Sequence, residues 1–385
     1  MENEPKMRSV EEQKGRLPVA SGGPVATIKE VCAQWLEQGI LSGIMMPAYS
    51  IKGVAAPVLF TDPQIVRQSG VPFLPAMGVN TASVVDEMRF SPAPGVKVGV
   101  FLRPCEARAV VELVKLQQVV LDGLVLIGVD CPGTYRTADF SELLDGAVVD
   151  FVNRFLQDQA RYLNDERFRT ACAMCEYPTP LVCDLHIGFL GMNPGEALWV
   201  ESRSEKGAEL YKTMNVEPVP VPESRQLFLK DFRAQRQSRA EERIKELDAK
   251  ALGPENLVKY FAACLNCHNC MKVCPVCYCR ECFFESEALE RELDEVVRIT
   301  RHKGGMRLPQ GTLLFHITRM NHMMTSCVQC GICEDSCPVK IGLSVLFKKV
   351  SRNAQKEFDY LSGRSLDEPL PLVTFREDEF RTIGE

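Results

Sequence analysis

The sequence lacks the features of a membrane, secreted or nucleic-acid-binding protein. No stretch approaches the roughly 18 consecutive apolar residues that a membrane-spanning helix needs. Residues 1–16 are charged and polar and contain no apolar core of a signal peptide. The formal net charge of −6 leaves no basic surface of the kind that binds nucleic acid. We therefore expect a cytoplasmic protein with no membrane span and no nucleic-acid partner.

Nucleotide-binding signatures are also absent. No GxGxxG or GxxxxGK(S/T) pattern stands at a predicted strand–helix junction, so the sequence supports neither a standard dinucleotide fold nor a P-loop NTPase. Nothing in it resembles a molybdenum, tungsten or nickel–iron site. A catalytic centre built on one of these metals would therefore have to lie on another chain.

Cysteine, in contrast, is abundant, with 17 in 385 residues. The pattern CxxCxxCxxxCP, the ligand run of a bacterial two-cluster ferredoxin, occurs twice near the C-terminus. The first run consists of Cys264, Cys267, Cys270 and Cys274, and the second of Cys327, Cys330, Cys333 and Cys337. In such a run three thiolates hold one 4Fe–4S cluster and the fourth reaches the neighbouring cluster. The runs predict two 4Fe–4S clusters rather than a zinc site or a disulfide scaffold, because zinc usually takes spaced CxxC pairs and disulfides are rare in a reducing cytoplasm.

The length of the chain allows two to three domains. Residues 96–102 and 124–129 are predicted strands and residues 107–119 a predicted helix, a βαβ unit that implies a parallel sheet covered by helices. A later segment, from Glu223 to Lys250, is rich in Arg, Lys and Glu and is predicted to be a helix, most simply a solvated linker. We expect an α/β fold, with a mixed-sheet domain followed by a mostly helical two-cluster ferredoxin domain. The expected segments are a flexible tail at 1–18, the α/β domain at 19–222, a linker helix at 223–253, the ferredoxin domain at 254–350 and a C-terminal tail at 351–385.

Four further cysteines stand where a third cluster could form. Cys105 and Cys131 follow the two predicted strands, and the carboxyl ends of adjacent parallel strands line the ligand crevice of such a sheet. Cys172 and Cys175 add a CxxC pair, which completes the four thiolates that a cubane needs. The alternative is that these cysteines are buried as small apolar residues.

Two smaller features leave alternatives open. Ser21, Gly22 and Gly23 open the first predicted helix, where a capping hydroxyl and free N–H groups would attract a phosphate, although glycine turns before helices are common. Cys277, Cys279 and Cys282 directly follow the first run. They could be alternative ligands, a non-standard cluster site or a small zinc site.

Four segments, taken in order, resemble the beta-subunit family of coenzyme F420 hydrogenases and dehydrogenases, which includes formate dehydrogenase beta subunits. They are residues 20–23 (ASGG), 98–105 (VGVFLRPC), 126–131 (LIGVDC) and 172–191, from CAMC to GFLG. The resemblance spans about residues 19–215 and implies an FAD-binding α/β subunit with one 4Fe–4S cluster in its core. Carried over, it gives Cys105, Cys131, Cys172 and Cys175 as ligands of that cluster. It gives Ser21, Gly22, Gly23, Gly188 and Gly191 as flavin-contacting candidates, and Asp184 matches an aspartate of the family.

The resemblance implies an iron–sulfur flavoprotein subunit of an oxidoreductase complex. FAD would exchange hydride with a soluble carrier, either a deazaflavin or NAD(P)H, and single electrons would pass through the 4Fe–4S clusters to a partner subunit. That partner would be of the formate dehydrogenase, hydrogenase or heterodisulfide reductase type. The alternative is a flavin-free 4Fe–4S adaptor that bridges two redox enzymes. No catalytic side chain is assigned in either case.

Overall fold

A mixed β-sheet organises the N-terminal half of the protein. The computed structural model describes residues 13–50, 53–88, 95–251, 253–290, 292–306, 309 and 311–373. Its strands are β1 (Lys14–Pro18), β2 (Gly43–Tyr49), β3 (Ala55–Phe60), β4 (Val98–Leu102), β5 (Leu124–Val129), β6 (Leu185–Gly188), β7 (Ala197–Ser202) and β8 (Glu217–Pro218). They form one eight-stranded sheet in the order β3-β2-β4-β5-β6-β7-β1-β8. Strands β2, β4, β5 and β6 are mutually parallel, and the remaining pairings are antiparallel.

Helices cover the sheet and make up most of the C-terminal region. In the α/β part they are α1 (Gly23–Glu37), α2 (Pro63–Ser69), α3 (Thr81–Glu87), α4 (Pro104–Lys115), α5 (Thr137–Leu143), α6 (Val148–Gln157), α7 (Arg161–Asn164), α8 (Thr170–Ala173) and α9 (Glu205–Tyr211). They continue with α10 (Glu223–Ala251), α11 (Pro254–Tyr260), α12 (Asn269–Lys272), α13 (Leu293–Lys303), α14 (Thr312–Met323), α15 (Ile332–Asp335) and α16 (Leu343–Glu357). The expected fold class, a mixed α/β sheet followed by a helical region that contains the cysteine runs, is confirmed. None of the helices within the described ranges is long and apolar enough to cross a membrane.

The predicted βαβ unit is present, with β4 and β5 paired in parallel around α4. Every residue of both strands is buried, as the continuous apolar runs predict for central strands. Helix α4 begins earlier than the apolar periodicity suggests. Pro104 suits the first helical turn, and the Glu106 carboxylate accepts a hydrogen bond from the Arg103 N–H at 2.8 Å.

Both expected tails are shorter than the sequence predicts. Lys14–Pro18 is strand β1, because it pairs with β7 and β8, which lie far along the chain and cannot be foreseen from local pattern. Beyond residue 351 helix α16 continues, and Arg108 donates to the Ser362 carbonyl at 2.8 Å. Residues 374–385 of the expected C-terminal tail lie outside the described residues.

Helix α10 is not a solvated linker. Arg225, Phe232 and Arg236 on one of its sides are buried. The guanidinium of Arg236 donates to the carbonyls of Pro132 and Cys172 at 2.9 and 2.8 Å. These polar contacts explain the discrepancy, since Arg225 and Arg236 meet carbonyl acceptors of the α/β part instead of water, while most other charged residues of the helix are exposed.

Candidate functional site

The second cysteine run encloses a cavity together with the last cysteine of the first run. The cavity is lined by Cys274, Cys327, Cys330 and Cys333 and by the apolar side chains of Val276, Met323, Val328, Ile332 and Phe347. Burial raises the pKa of the Cys330 thiol to about 12, and repulsion from Cys274 adds to the rise. Thiols in such a setting stay protonated unless a metal binds, since a coordinating thiol is deprotonated outright.

The complementary set forms at the first run. Burial raises the pKa of the Cys270 thiol, and repulsion from Cys264, Cys267 and Cys337 adds to the rise. The fourth cysteine of each run therefore lies with the first three cysteines of the other. This crossing is the ligand arrangement of a two-cluster ferredoxin.

The backbones of the two runs repeat the same turns. Asn266 and Gln329 each stand two residues after the first cysteine of their run, with φ of 55° and 59°. The N–H of each lies 3.4 Å from the Sγ of that cysteine. His268 and Gly331, two residues further on, also have positive φ, of 59° and 75°. Left-handed residues at these two positions curl both loops in the same way and direct N–H groups at sulfur.

Helix α14, between the two runs, adds two polar side chains that the sequence reasoning missed. His316 is buried, stacks on the Phe261 ring at 3.8 Å, and places Nε2 3.3 Å from the Cys264 Sγ. Arg319 is also buried and contacts the thiols of both sets. Burial alone would lower its pKa, but the Cys333, Cys274 and Cys270 thiols outweigh that effect and raise it. No motif marks either residue, because only the helix packing brings them to the cysteines.

The four remaining cluster candidates, Cys105, Cys131, Cys172 and Cys175, come together at the carboxyl edge of the sheet. Cys105 lies in the first turn of α4, Cys131 follows β5, and the other two belong to α8 and the turn after it. Burial raises the pKa of the Cys131 thiol to about 12, and repulsion from Cys172 and Cys175 adds to the rise. Burial also raises the pKa of Cys105, with further repulsion from Cys131 and Cys175. The structure thus assembles four thiols where the strand ends predict them.

This core set adjoins the second ferredoxin set through Arg169. The buried guanidinium lies 3.9 Å from the Cys172 Sγ, donates to the Cys330 carbonyl at 2.8 Å, and pairs with Asp335 at 2.5 Å. Packing at this junction is tight, because a Cβ on Gly331 would lie 2.3 Å from the Ala171 Cβ. The two thiol sets are therefore held by one shared cation and a close backbone contact.

The flavin candidates lie at the same edge of the sheet, after β1 and after β6. Protein side chains occupy the space next to three of them, Gly23, Gly188 and Gly191. A Cβ on Gly23 would lie 2.9 Å from the Asn153 side chain, which also receives the Val25 N–H and donates to the Gly22 carbonyl. Ser21 immediately precedes this turn. On the other side, a Cβ on Gly188 or Gly191 would lie 2.6 or 2.5 Å from atoms of Arg225 in α10. Gly23, Gly188 and Gly191 therefore pack against the protein itself and do not fit as direct flavin contacts, whereas Ser21 and Gly22 are exposed.

Arg225 belongs to a buried polar network centred on Asp130. The Asp130 carboxylate accepts hydrogen bonds from the Arg225 guanidinium at 2.6 Å and from the N–H groups of Phe189 and Leu190 at 2.8 and 2.9 Å. His186 Nε2 lies 2.8 Å away. Burial alone would raise the pKa of Asp130, but Arg225 and His186 lower it well below its usual range. Asp184 has a structural role as well, since its carboxylate accepts the Leu126 N–H at 2.7 Å.

The remaining cysteines divide into two groups. Cys32, on α1, and Cys183 are both buried among apolar side chains. Cys277, Cys279 and Cys282 line a second cavity beside the first run. Among the residues that the structure describes, no three Cys, His, Asp or Glu side chains surround one point as the ligands of a single metal ion do.

Comparison with known proteins supports the family resemblance. Residues 95–219 match the family model for the C terminus of the coenzyme F420 hydrogenase/dehydrogenase beta subunit, and residues 260–341 match a 4Fe-4S dicluster domain. The chain is 26% identical over 302 residues to an F420-dependent formate dehydrogenase subunit beta from Methanocaldococcus jannaschii, covering 71% of this chain and 75% of that protein. It is 26% identical over 310 residues to an F420-dependent formate dehydrogenase 1 subunit beta from Methanococcus maripaludis, covering 72% and 75%. A chain of the F420-reducing NiFe hydrogenase complex from Methanosarcina barkeri aligns with 14% identity and a TM-score of 0.44, over 66% of this chain and 97% of that one.

Proposed function

We propose that this chain, which carries a coenzyme F420 hydrogenase/dehydrogenase beta-subunit domain and a 4Fe-4S dicluster domain, is the electron-transfer subunit of an F420-linked oxidoreductase. The observation that carries the proposal is the crossing of the thiol sets, with Cys274 beside the second run and Cys337 beside the first. A 4Fe–4S cluster held by four such thiolates carries single electrons at a potential set by its surroundings. By analogy with the relatives, the catalytic partner would be a formate dehydrogenase or hydrogenase subunit.

The chain's own residues supply the surroundings that set such a potential. The apolar lining around Cys274, Cys327, Cys330 and Cys333 excludes water. Arg319 places a positive charge between the two ferredoxin sets, and His316 Nε2 lies within hydrogen-bonding distance of the Cys264 sulfur. Hydrogen bonds to sulfur, charge and exclusion of solvent are the means by which a protein tunes a cluster.

We further propose that Cys105, Cys131, Cys172 and Cys175 hold a third 4Fe–4S cluster. Their partial burial and mutual repulsion support it, because four unpaired, half-buried thiols gain nothing from being close together without a metal. Arg169 contacts this set and the second ferredoxin set at once. The three sets would then lie in series from the sheet edge to the C-terminal region.

The family resemblance also implies FAD, with a deazaflavin or NAD(P)H as hydride carrier. Three of the five positions expected to contact it, Gly23, Gly188 and Gly191, are packed against Asn153 or Arg225, so we derive no step through a flavin at these residues. That packing favours the second candidate function, a flavin-free adaptor that passes electrons between two enzymes. Of the two carriers, the curated relatives support only the deazaflavin, since both are described as F420-dependent.

Chemical analysis of anaerobically purified protein tests both points. Three cubanes require about 12 iron atoms per chain, and a C131S variant should contain about 8. A C32S variant, in which the altered thiol lies in the apolar core, is the matched control and should keep all of its iron. Wild-type iron near 8 would remove the third cluster from the proposal. Acid-extractable flavin near one per chain would overturn the adaptor, and its absence would overturn the flavoprotein.

The carrier can be identified in parallel. The complex of this chain with its partner subunits is mixed separately, without oxygen, with reduced F420, NADH and NADPH. Cluster reduction is followed by electron paramagnetic resonance (EPR). We expect reduction by F420 in the assembled complex. Reduction by NADH or NADPH alone would contradict an F420-linked function.

A further inference from the structure

We propose that Cys277, Cys279 and Cys282 form a fourth metal site, which holds an iron–sulfur cluster at the wall of the second cavity. No function described above uses these three cysteines. The inference goes beyond the proposed function and rests on it only for the role of the site in electron transfer.

The first support is the placement of the three side chains. All of them line one cavity of about 680 Å³, beside the loop that follows Cys274. The Cys277 N–H bonds the Cys274 carbonyl at 3.1 Å, so the segment turns directly off the last ligand of the first run. Cys282 is held at the opposite end by helix α12, with its Sγ 3.5 Å from the Met271 Sδ.

The second support is that ordinary packing does not account for the group. Cysteine is usually buried as a small apolar residue, but Cys279 is exposed, and Cys277 and Cys282 are half-buried. Three thiols that face the same space, with no disulfide between them, are a set of soft ligands suited to iron or zinc.

The spacing of the thiols favours a cluster over a single ion. The ligands of one zinc ion converge at about 2.3 Å from the metal, and these side chains do not surround one point. A cubane takes each thiolate on a different iron, so its ligands stand farther apart. Three thiolates leave one iron without a cysteine, and that position would face the cavity, whose wall is rich in Met and Phe side chains.

A cluster here would adjoin the second ferredoxin set, because the Cys277 N–H bonds the carbonyl of Cys274, a member of that set, at 3.1 Å. The site would be a branch of the electron path near the surface. Phe283 and Tyr278, which also line the cavity, are 57% and 38% exposed, so this part of the wall meets solvent.

The test compares iron, acid-labile sulfide and zinc in anaerobic wild-type protein, the triple variant C277S/C279S/C282S and the control C32S. We expect the triple variant to lose about four iron atoms relative to wild type, with no loss of zinc, and C32S to lose none. EPR of the reduced proteins should lose about one spin in the triple variant. The core cluster and this site together would raise the total to about 16 iron atoms. At a total near 12, the iron lost by C131S and by the triple variant shows which of the two sites holds the third cluster.

Three results would overturn the inference. Equal iron in the wild type and the triple variant would show that the thiols hold no cluster, and loss of one zinc would show a single-ion site. Loss of about eight irons would show that the thiols only support the neighbouring ferredoxin loop. If the triple variant does not fold, C279S replaces it. Its side chain is exposed, and a cluster there should change its EPR signal, whereas an unchanged signal with full iron would refute the site.

Discussion

Replacing Arg169 by Met should lower the reduction potential of the core cluster, if Cys105, Cys131, Cys172 and Cys175 hold one. The guanidinium lies 3.9 Å from the Cys172 Sγ and is fully buried. Its positive charge stabilises the reduced cluster, which carries one more negative charge than the oxidised cluster. The variant removes that stabilisation and makes the cluster harder to reduce.

The structure sets the size of the effect. Two unit charges about 4 Å apart at an effective dielectric constant near 20 interact by roughly 4 kcal/mol. For a one-electron couple, about 1.4 kcal/mol corresponds to about 59 mV, which gives an upper limit near 170 mV. The added electron is spread over the cluster and Asp335 neutralises part of the cation, so roughly a quarter to a half of that limit should remain. We expect a shift of about −40 to −85 mV.

An anaerobic redox titration followed by EPR measures the shift. Two further variants separate charge from damage to the fold. R169K keeps the charge and should stay much closer to wild type than R169M. D335N removes the neighbouring carboxylate and should move the potential in the opposite, positive direction. If R169M and D335N shift the potential in the same direction, or if R169M shifts it by less than about 20 mV, the electrostatic argument is wrong.

Three other predictions follow from single contacts. By iron analysis, C274S and C330S should each lose about four iron atoms, and the double variant should also lose about four because both thiols belong to one set. A triple variant that adds C264S, in the other set, should lose about eight. D130N leaves a buried guanidinium without its carboxylate, so it should lower the free energy of unfolding by about 3–5 kcal/mol in urea titrations; a change below about 1 kcal/mol would contradict a buried ion pair. G331A should cost about 2–5 kcal/mol in the same assay through positive φ and contact with α8, whereas G305A, whose added Cβ meets nothing within 4 Å, should change stability by no more than about 0.5 kcal/mol.

Local pattern was sufficient for the elements that carry the cysteines. Strand β5 has the bounds that the sequence predicts, and strand β4 begins two residues later than predicted and ends where predicted. The CxxCxxCxxxCP runs also predict the crossing of the thiol sets, because the spacing of ligands along a short loop is a local property. Long-range features could not be predicted in this way. Strand β1 forms because β7 and β8 pair with it, and no sequence pattern within residues 1–18 predicts that pairing.

The glycine candidates show why a motif can mislead. Gly188 and Gly191 do allow a close approach, as the sequence suggests, but the group that approaches is Arg225 from a helix that begins at Glu223. A glycine indicates that another group comes close to the backbone, but it does not indicate whether that group is a cofactor or a side chain of the protein. The same limit applies to Arg169, whose importance depends on contacts with Cys172 and Cys330 in two different parts of the chain.

The long segment between the two cysteine runs is more than a spacer. His316 and Arg319 are three residues apart on α14, so they project from the same face of the helix, one turn apart. His316 reaches the Cys264 sulfur of one set, and Arg319 contacts thiols of both sets. A shift of this helix would therefore change the surroundings of both clusters together. An insertion that only joined the runs would have no reason to bury a histidine and an arginine against thiols. We therefore expect helix α14 to couple the potentials of clusters held by the two ferredoxin sets.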